Sequence, residues 1–161
     1  SVHFISFIAS IHYSFYSVIS FVSSPLIPSF IFFFFFCAQV LEWAVGGDLK
    51  MQDFFYPIGG VSQSSPEGLT LAWAFYQEKY EFLKDWLKKA SPSLMDAAIV
   101  YSVSGFATND KAEEIEGFFK NEDGTPKLPQ SNRKIQQTVE SIKTSAAFLT
   151  RILAEDLSAV L

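Results

Sequence analysis

The sequence predicts an all-α fold, built from paired antiparallel helices in a stacked array. Three observations carry that expectation. From Leu41 onward, apolar residues recur three and four positions apart, the spacing of a helix face. No alternation of apolar and polar residues over strand length competes with it. Ser-Pro pairs and glycines cut the pattern into pieces of helical length.

The elements follow in order. Val40 to Ala44 reads as the end of a helix stopped by Gly46-Gly47, and a short helix is expected over Leu49 to Tyr56. Pro57 and Gly59-Gly60 stand near its limit, with helix able to resume before the turn at Ser62 to Ser65. Ser65 can cap the next helix, with Pro66 in its first position and Glu67 at its positive end. From there to Lys89 one stripe joins Leu69, Ala72, Trp73, Tyr76, Tyr80, Leu83 and Leu87. A second joins Leu71, Phe75, Phe82 and Trp86. Two apolar stripes suit a helix held between neighbours, which favours an array over a small bundle. Ser91-Pro92 restarts the chain, and Leu94 to Ser104 is a largely apolar helix ended by Gly105. Asp110-x-x-Glu113 resembles a capping box ahead of Ala112, Ile115, Phe118 and Phe119. Asn121 to Pro129 reads as a surface loop. Ser131 can cap a long last helix carrying Ile135, Val139, Ile142, Ala146, Leu149, Leu153 and Leu157.

Composition divides the chain in two. All 12 basic and 17 acidic residues lie after Leu41, and the net charge of -5 argues against a nucleic-acid partner. The lone Cys37 rules out an intrachain disulfide and gives no sign of an oxidising compartment. The first methionine is Met51, which suggests a fragment. Residues 40–161 read as one mildly acidic helical domain of soluble character, and residues 1–39 as an uncharged, low-complexity hydrophobic segment.

A membrane segment over residues 1–24 would have enough apolar length. Against it stand nine serines in the first 39 residues, Pro25 and Pro28, and the lack of flanking Lys or Arg. A signal peptide would need a basic start and a small-residue cleavage site, and neither is present. Codons offer another origin. Phe32 to Phe36 require fifteen consecutive pyrimidines, Cys37-Ala38-Gln39 reads TGY GCN CAR, and Val40 begins with G. A pyrimidine tract closed by CAG and followed by G is how an intron ends. Translated intron, with the true exon starting near Val40, is therefore the preferred reading over a membrane segment or a low-complexity tail.

Motifs for chemistry are sparse. His3 and His12 are the only histidines, both in the hydrophobic segment, and there is no H-E-x-x-H, phosphate loop or G-x-S-x-G. Gly59-Gly60 reads as a helix break rather than a ligand cradle. Glu113, Glu114 and Glu116 read as a solvated acidic face.

Five segments nevertheless resemble a known family in its own order. They are "LEWAVGGDLKMQDFFYPIGGVS" (Leu41 to Ser62), "LAWAFYQEKYEFL" (Leu71 to Leu83), "SVSGFAT" (Ser102 to Thr108), "EIEGFF" (Glu114 to Phe119) and "RKIQQTVESIKTSAAFLTR" (Arg133 to Arg151). Together they are similar to the C-terminal helical domain of puromycin-sensitive-type zinc aminopeptidases, gluzincins of the cytoplasm. The resemblance covers Val40 to the end. It implies a HEAT/armadillo-like superhelical array, incomplete here on its N-terminal side, that closes over the active site and shapes a peptide cavity. It also implies zinc in the full-length enzyme, none in this chain, and an isolated chain without activity. The partners would be the enzyme's own catalytic domain and its peptide substrate, and a hydrophobic anchor at this position would be out of place. Gln52, Asp53, Arg133, Gln137 and Glu140 are the polar residues of the matching segments. They are candidates for the cavity wall or the contact with the catalytic domain, or else for caps and interhelical polar contacts. A non-enzymatic helical-repeat module and a small membrane-anchored protein are the alternative functions.

Overall fold

Glycines, prolines and short polar side chains set where the helices start and stop, though not everywhere as expected. The computed structural model describes residues 29–88 and 90–160, with side chains from Phe32 to Glu155. The candidate membrane segment 1–24, Pro25, Pro28, both histidines and the side chain of Leu157 lie outside the described residues. The chain divides after Phe36 into two units.

Helix α1 (Ser29–Val45) ends where expected. The Gly46 N–H donates to the Trp43 carbonyl at 3.1 Å, and Gly47 takes a φ of 95°, which costs glycine little. Cys37, Leu41 and Ala44, one helical face, are buried.

The next helix is displaced from its expected place. Turns occupy residues 51–54, and α2 runs over Phe55–Ser64, through Pro57 and both glycines. Pro57 is the third helical residue, where the missing N–H falls among the four that have no intrahelical acceptor. Gly59 is no break. It is buried at the crossing of α2 with a later helix, and a Cβ there would lie 2.5 Å from Cδ1 of Tyr101. Gly60 faces open space.

Helix α3 (Pro66–Glu78) starts as the sequence indicates, with Ser65 Oγ accepting from the Gly68 N–H at 3.0 Å. It does not run unbroken to Lys89. At Lys79 the backbone leaves helical geometry (φ -89°, ψ 5°) and α4 follows over Tyr80–Leu87. Neither glycine nor proline stands there, and nothing local accounts for the break. Lys79 Nζ reaches Glu42 of α1 at 2.9 Å.

Helix α5 (Pro92–Val103) has apolar residues on every side, as befits a helix enclosed by others. It touches α2, α3 and α4 as well as the last helix. Ala98, Ile99, Ser102 and Val103 are fully buried, and Ser102 Oγ is satisfied by the Ala98 carbonyl at 2.8 Å.

Helix α6 (Asn109–Phe118) is not capped by the expected Asp110–Glu113 box. Thr108 holds the cap position, its Oγ1 accepting from the Lys111 N–H, while Asp110 sits in the positive first turn. A tight loop follows, closed by Asn121 N–H to the Thr125 carbonyl (2.8 Å) and Lys127 N–H to the Phe119 carbonyl (2.8 Å). Ser131 does not cap the final helix either. It ends a 3-10 turn (Pro129–Ser131), and its hydroxyl is buried without a hydrogen-bond partner. Helix α7 covers Asn132–Val160, 29 residues and roughly 43 Å long.

All-α architecture holds: among the described residues there are seven α-helices and no strand beyond a single bridge between Lys120 and Pro126. Every residue of the Leu69–Leu87 stripe is buried, as are Ile135, Val139, Ile142 and Ala146 of α7. Trp73, Tyr76 and Tyr80 meet Phe118 and Phe119 in one aromatic cluster, with the Trp73 and Phe118 rings edge to face at 5.2 Å. The second stripe is covered only in part: Phe75 is buried, whereas Phe82 is 47% exposed and stacks on Trp86. Beyond Ala146 the α7 stripe loses its cover, and Leu149 and Leu153 are exposed together with Phe148.

Two consequences follow for stability and solubility. Gly60→Ala and Gly117→Ala meet nothing within 4 Å, so each is expected to raise stability by up to about 1 kcal/mol through helix propensity. A rise in urea midpoint checks this. Exposed Trp43, Tyr56, Phe82, Phe148 and Leu153 are expected to make residues 40–161 alone prone to aggregate. A monomeric sedimentation profile with cooperative unfolding would contradict that.

Candidate functional site

Helical periodicity gathers three of the five candidate residues. Arg133, Gln137 and Glu140 follow at four and three positions along α7, on the face opposite its buried stripe, and all three are exposed. Among the described residues no side-chain hydrogen bond or ion pair engages any of them. Thr144 extends the same line one turn further, its hydroxyl donating to the Glu140 carbonyl at 2.8 Å.

Gln52 and Asp53 stand apart, in the turns ahead of α2. Asp53 ties that turn by its backbone, its N–H donating to the Lys50 carbonyl (2.8 Å) and its carbonyl accepting from Tyr56 (3.1 Å). Among the described residues no hydrogen bond or ion pair joins either residue to the α7 group, and α2 makes no contact with α7.

The acidic face of α6 has more work than its sequence suggested. Glu114 accepts from the indole N–H of Trp73 at 2.7 Å and from Lys111 Nζ at 2.6 Å. Glu116 accepts from Lys120 at 2.7 Å and from Lys143 of α7 at 3.3 Å, tying the two helices together. Only Glu113 is a plainly solvated carboxylate. A partner on another helix was the missing information, since Trp73 lies 41 residues from Glu114.

These bonds hold both carboxylates below their ordinary value of 4.5, Glu114 chiefly through Lys111 and Glu116 chiefly through Lys120 and then Lys143. A lowered carboxylate stabilises the fold above its unfolded value and loses that contribution as pH falls through the folded one. The α6–α7 contact is therefore expected to weaken below about pH 4.5. Glu116→Gln should flatten that acid limb of a stability-versus-pH curve, and an unchanged limb would show that the Lys143 bridge contributes nothing.

Among the described residues, no group of His, Cys, Asp and Glu could hold a metal ion, and no helix is long and apolar enough to cross a membrane. The helical fold agrees with what the chain resembles. The ERAP1-like C-terminal domain matches residues 36–144. The chain belongs to that family. Aminopeptidase M1-B of Oryza sativa subsp. japonica is 33% identical over 118 residues, 73% of this chain and 12% of that protein. Aminopeptidase M1 of Arabidopsis thaliana is 33% identical over 119 residues, again 73% and 12%. This ERAP1-like domain is thus a C-terminal domain of the M1 aminopeptidase type, and the chain spans about an eighth of the length of these relatives.

Proposed function

We propose that residues 40–161 form the closing helices of a cytoplasmic zinc aminopeptidase. The observation that carries this reading is the family match together with 33% identity to two aminopeptidases. In such an enzyme the metal would polarise the scissile carbonyl and activate water. Those ligands belong to another domain, and the part assigned here is binding and exclusion. The helices continue a superhelical array, cover the active site, and offer the exposed α7 face to the peptide beyond its first residues or to the catalytic domain.

The face suits that role chemically. Arg133 can pair with a peptide carboxylate, Gln137 can donate to and accept from a peptide backbone, and Glu140 disfavours a second negative charge nearby. Among the described residues none holds these side chains, so binding a peptide there would break no bond among them. The whole protein carrying this domain is expected to contain zinc and to release N-terminal residues from peptides. Chelation should abolish that activity, and the present chain alone should show none. A zinc-free, inactive whole protein would overturn the proposal.

A further inference from the structure

The run Phe32–Phe36 ignores the helix that contains it. In α1 the buried residues Cys37, Leu41 and Ala44 define one face, and stepping back four positions from Cys37 reaches Phe33. Phe33 is half-buried, whereas Phe32, Phe35 and Phe36 are exposed at 64%, 48% and 59%. A helix with one buried face carries polar residues at such outward positions. Gln39 and Glu42 obey the rule, whereas Trp43 is 47% exposed. From Phe32 to Phe36, apolar residues fill inward and outward positions alike. Protein packing does not select such a run, but a nucleic-acid signal does: fifteen pyrimidines, then TGY GCN, then a CAR codon and G.

The family match begins at residue 36 and the chain divides after Phe36, so both boundaries fall at the end of the phenylalanine run and leave residues 37–39 with the helices that follow.

We infer that residues 1–39 are decoded from the end of an intron, and that the functional protein joins Val40 to a different upstream coding segment. That segment continues α1 in phase. It places small or apolar residues where Phe33 and Cys37 stand here, and mainly polar ones where Phe32, Phe35 and Phe36 stand. This rests on the genetic code and the helix phase, and it leans on the aminopeptidase reading only for the expectation that an upstream segment exists.

The test is to sequence polysomal messages across the Val40 codon, and to identify by mass spectrometry the peptide ending at Lys50, the first tryptic site of the chain. The expected result is a message, and a matching peptide, in which a new sequence with this phase precedes "VLEWAVGGDLK". A peptide containing "FFFFFCAQVLEW", or translated messages that all keep the tract in frame, would overturn the inference. A new upstream sequence with polar residues at positions 33 and 37 would overturn its helix-phase part. None of these outcomes bears on zinc content or peptide release, so the two proposals fail separately.

Discussion

Trp73→Ala is expected to cost about 3–5 kcal/mol, enough to unfold a domain of ordinary stability. Trp73 is 1% exposed and sits at the meeting point of α3 with α6, against Tyr76, Phe118 and Phe119. Removing the indole opens a cavity bounded by rings that cannot all close on it. It also takes the N–H from Glu114. Trp73→Phe separates the two losses. It keeps an aromatic ring and removes the donor, and because Glu114 retains Lys111, loss of the hydrogen bond should account for only about 1 kcal/mol. Urea denaturation read by pulse proteolysis in dilute solution compares the two without interference from aggregation. If Trp73→Ala costs no more than Trp73→Phe, the cluster is not where the fold is held.

Gly68→Ala is the second large effect, and its sign opposes propensity. Alanine favours a helix over glycine by up to about 1 kcal/mol. At Gly68, however, a Cβ would overlap the carbonyl oxygen of Val61 and lie 2.5 Å from Ser64 Oγ. The first of these is backbone, held inside α2, and cannot rotate aside. Relief would require prising the start of α3 from the end of α2, and overpacking of this kind costs about 1–3 kcal/mol or more. The expected result is a lower urea midpoint for Gly68→Ala beside a higher one for Gly60→Ala. Equal midpoints would mean that the α2–α3 corner is looser than its geometry indicates.

The same contrast explains what the sequence could and could not reveal. The stripes from Leu69 to Leu87 and from Ile135 to Ala146 are legible because helical period is a local property, and every one of those residues is buried. Gly59 reads as a break from its neighbours alone, because its meaning comes from Tyr101, 42 positions later, whose ring needs the space a Cβ would take. The cap at Ser65 forms as expected, whereas those expected at Asp110 and Ser131 do not, for a related reason. Thr108, Asp110 and Ser131 all have the chemistry of a cap, and the start of the helix in three dimensions decides which one acts. Leu149 and Leu153 continue the α7 stripe yet are exposed. Periodicity reports a face and not the partner that covers it. For the candidate site, the spacing of Arg133, Gln137 and Glu140 was readable, and so was their common face. That no described residue bonds their side chains was not, since that depends on every neighbouring element.

Steady-state kinetics on the whole protein test most directly the proposal that this face meets the peptide and not only the catalytic domain. Arg133→Ala with Gln137→Ala changes two exposed side chains that bond to no other side chain among the described residues, so stability should be unaltered. The expected result is a several-fold fall in kcat/KM for long peptides, carried by KM, with a single-residue chromogenic substrate cleaved as before. Unchanged kinetics on peptides of every length would contradict the account.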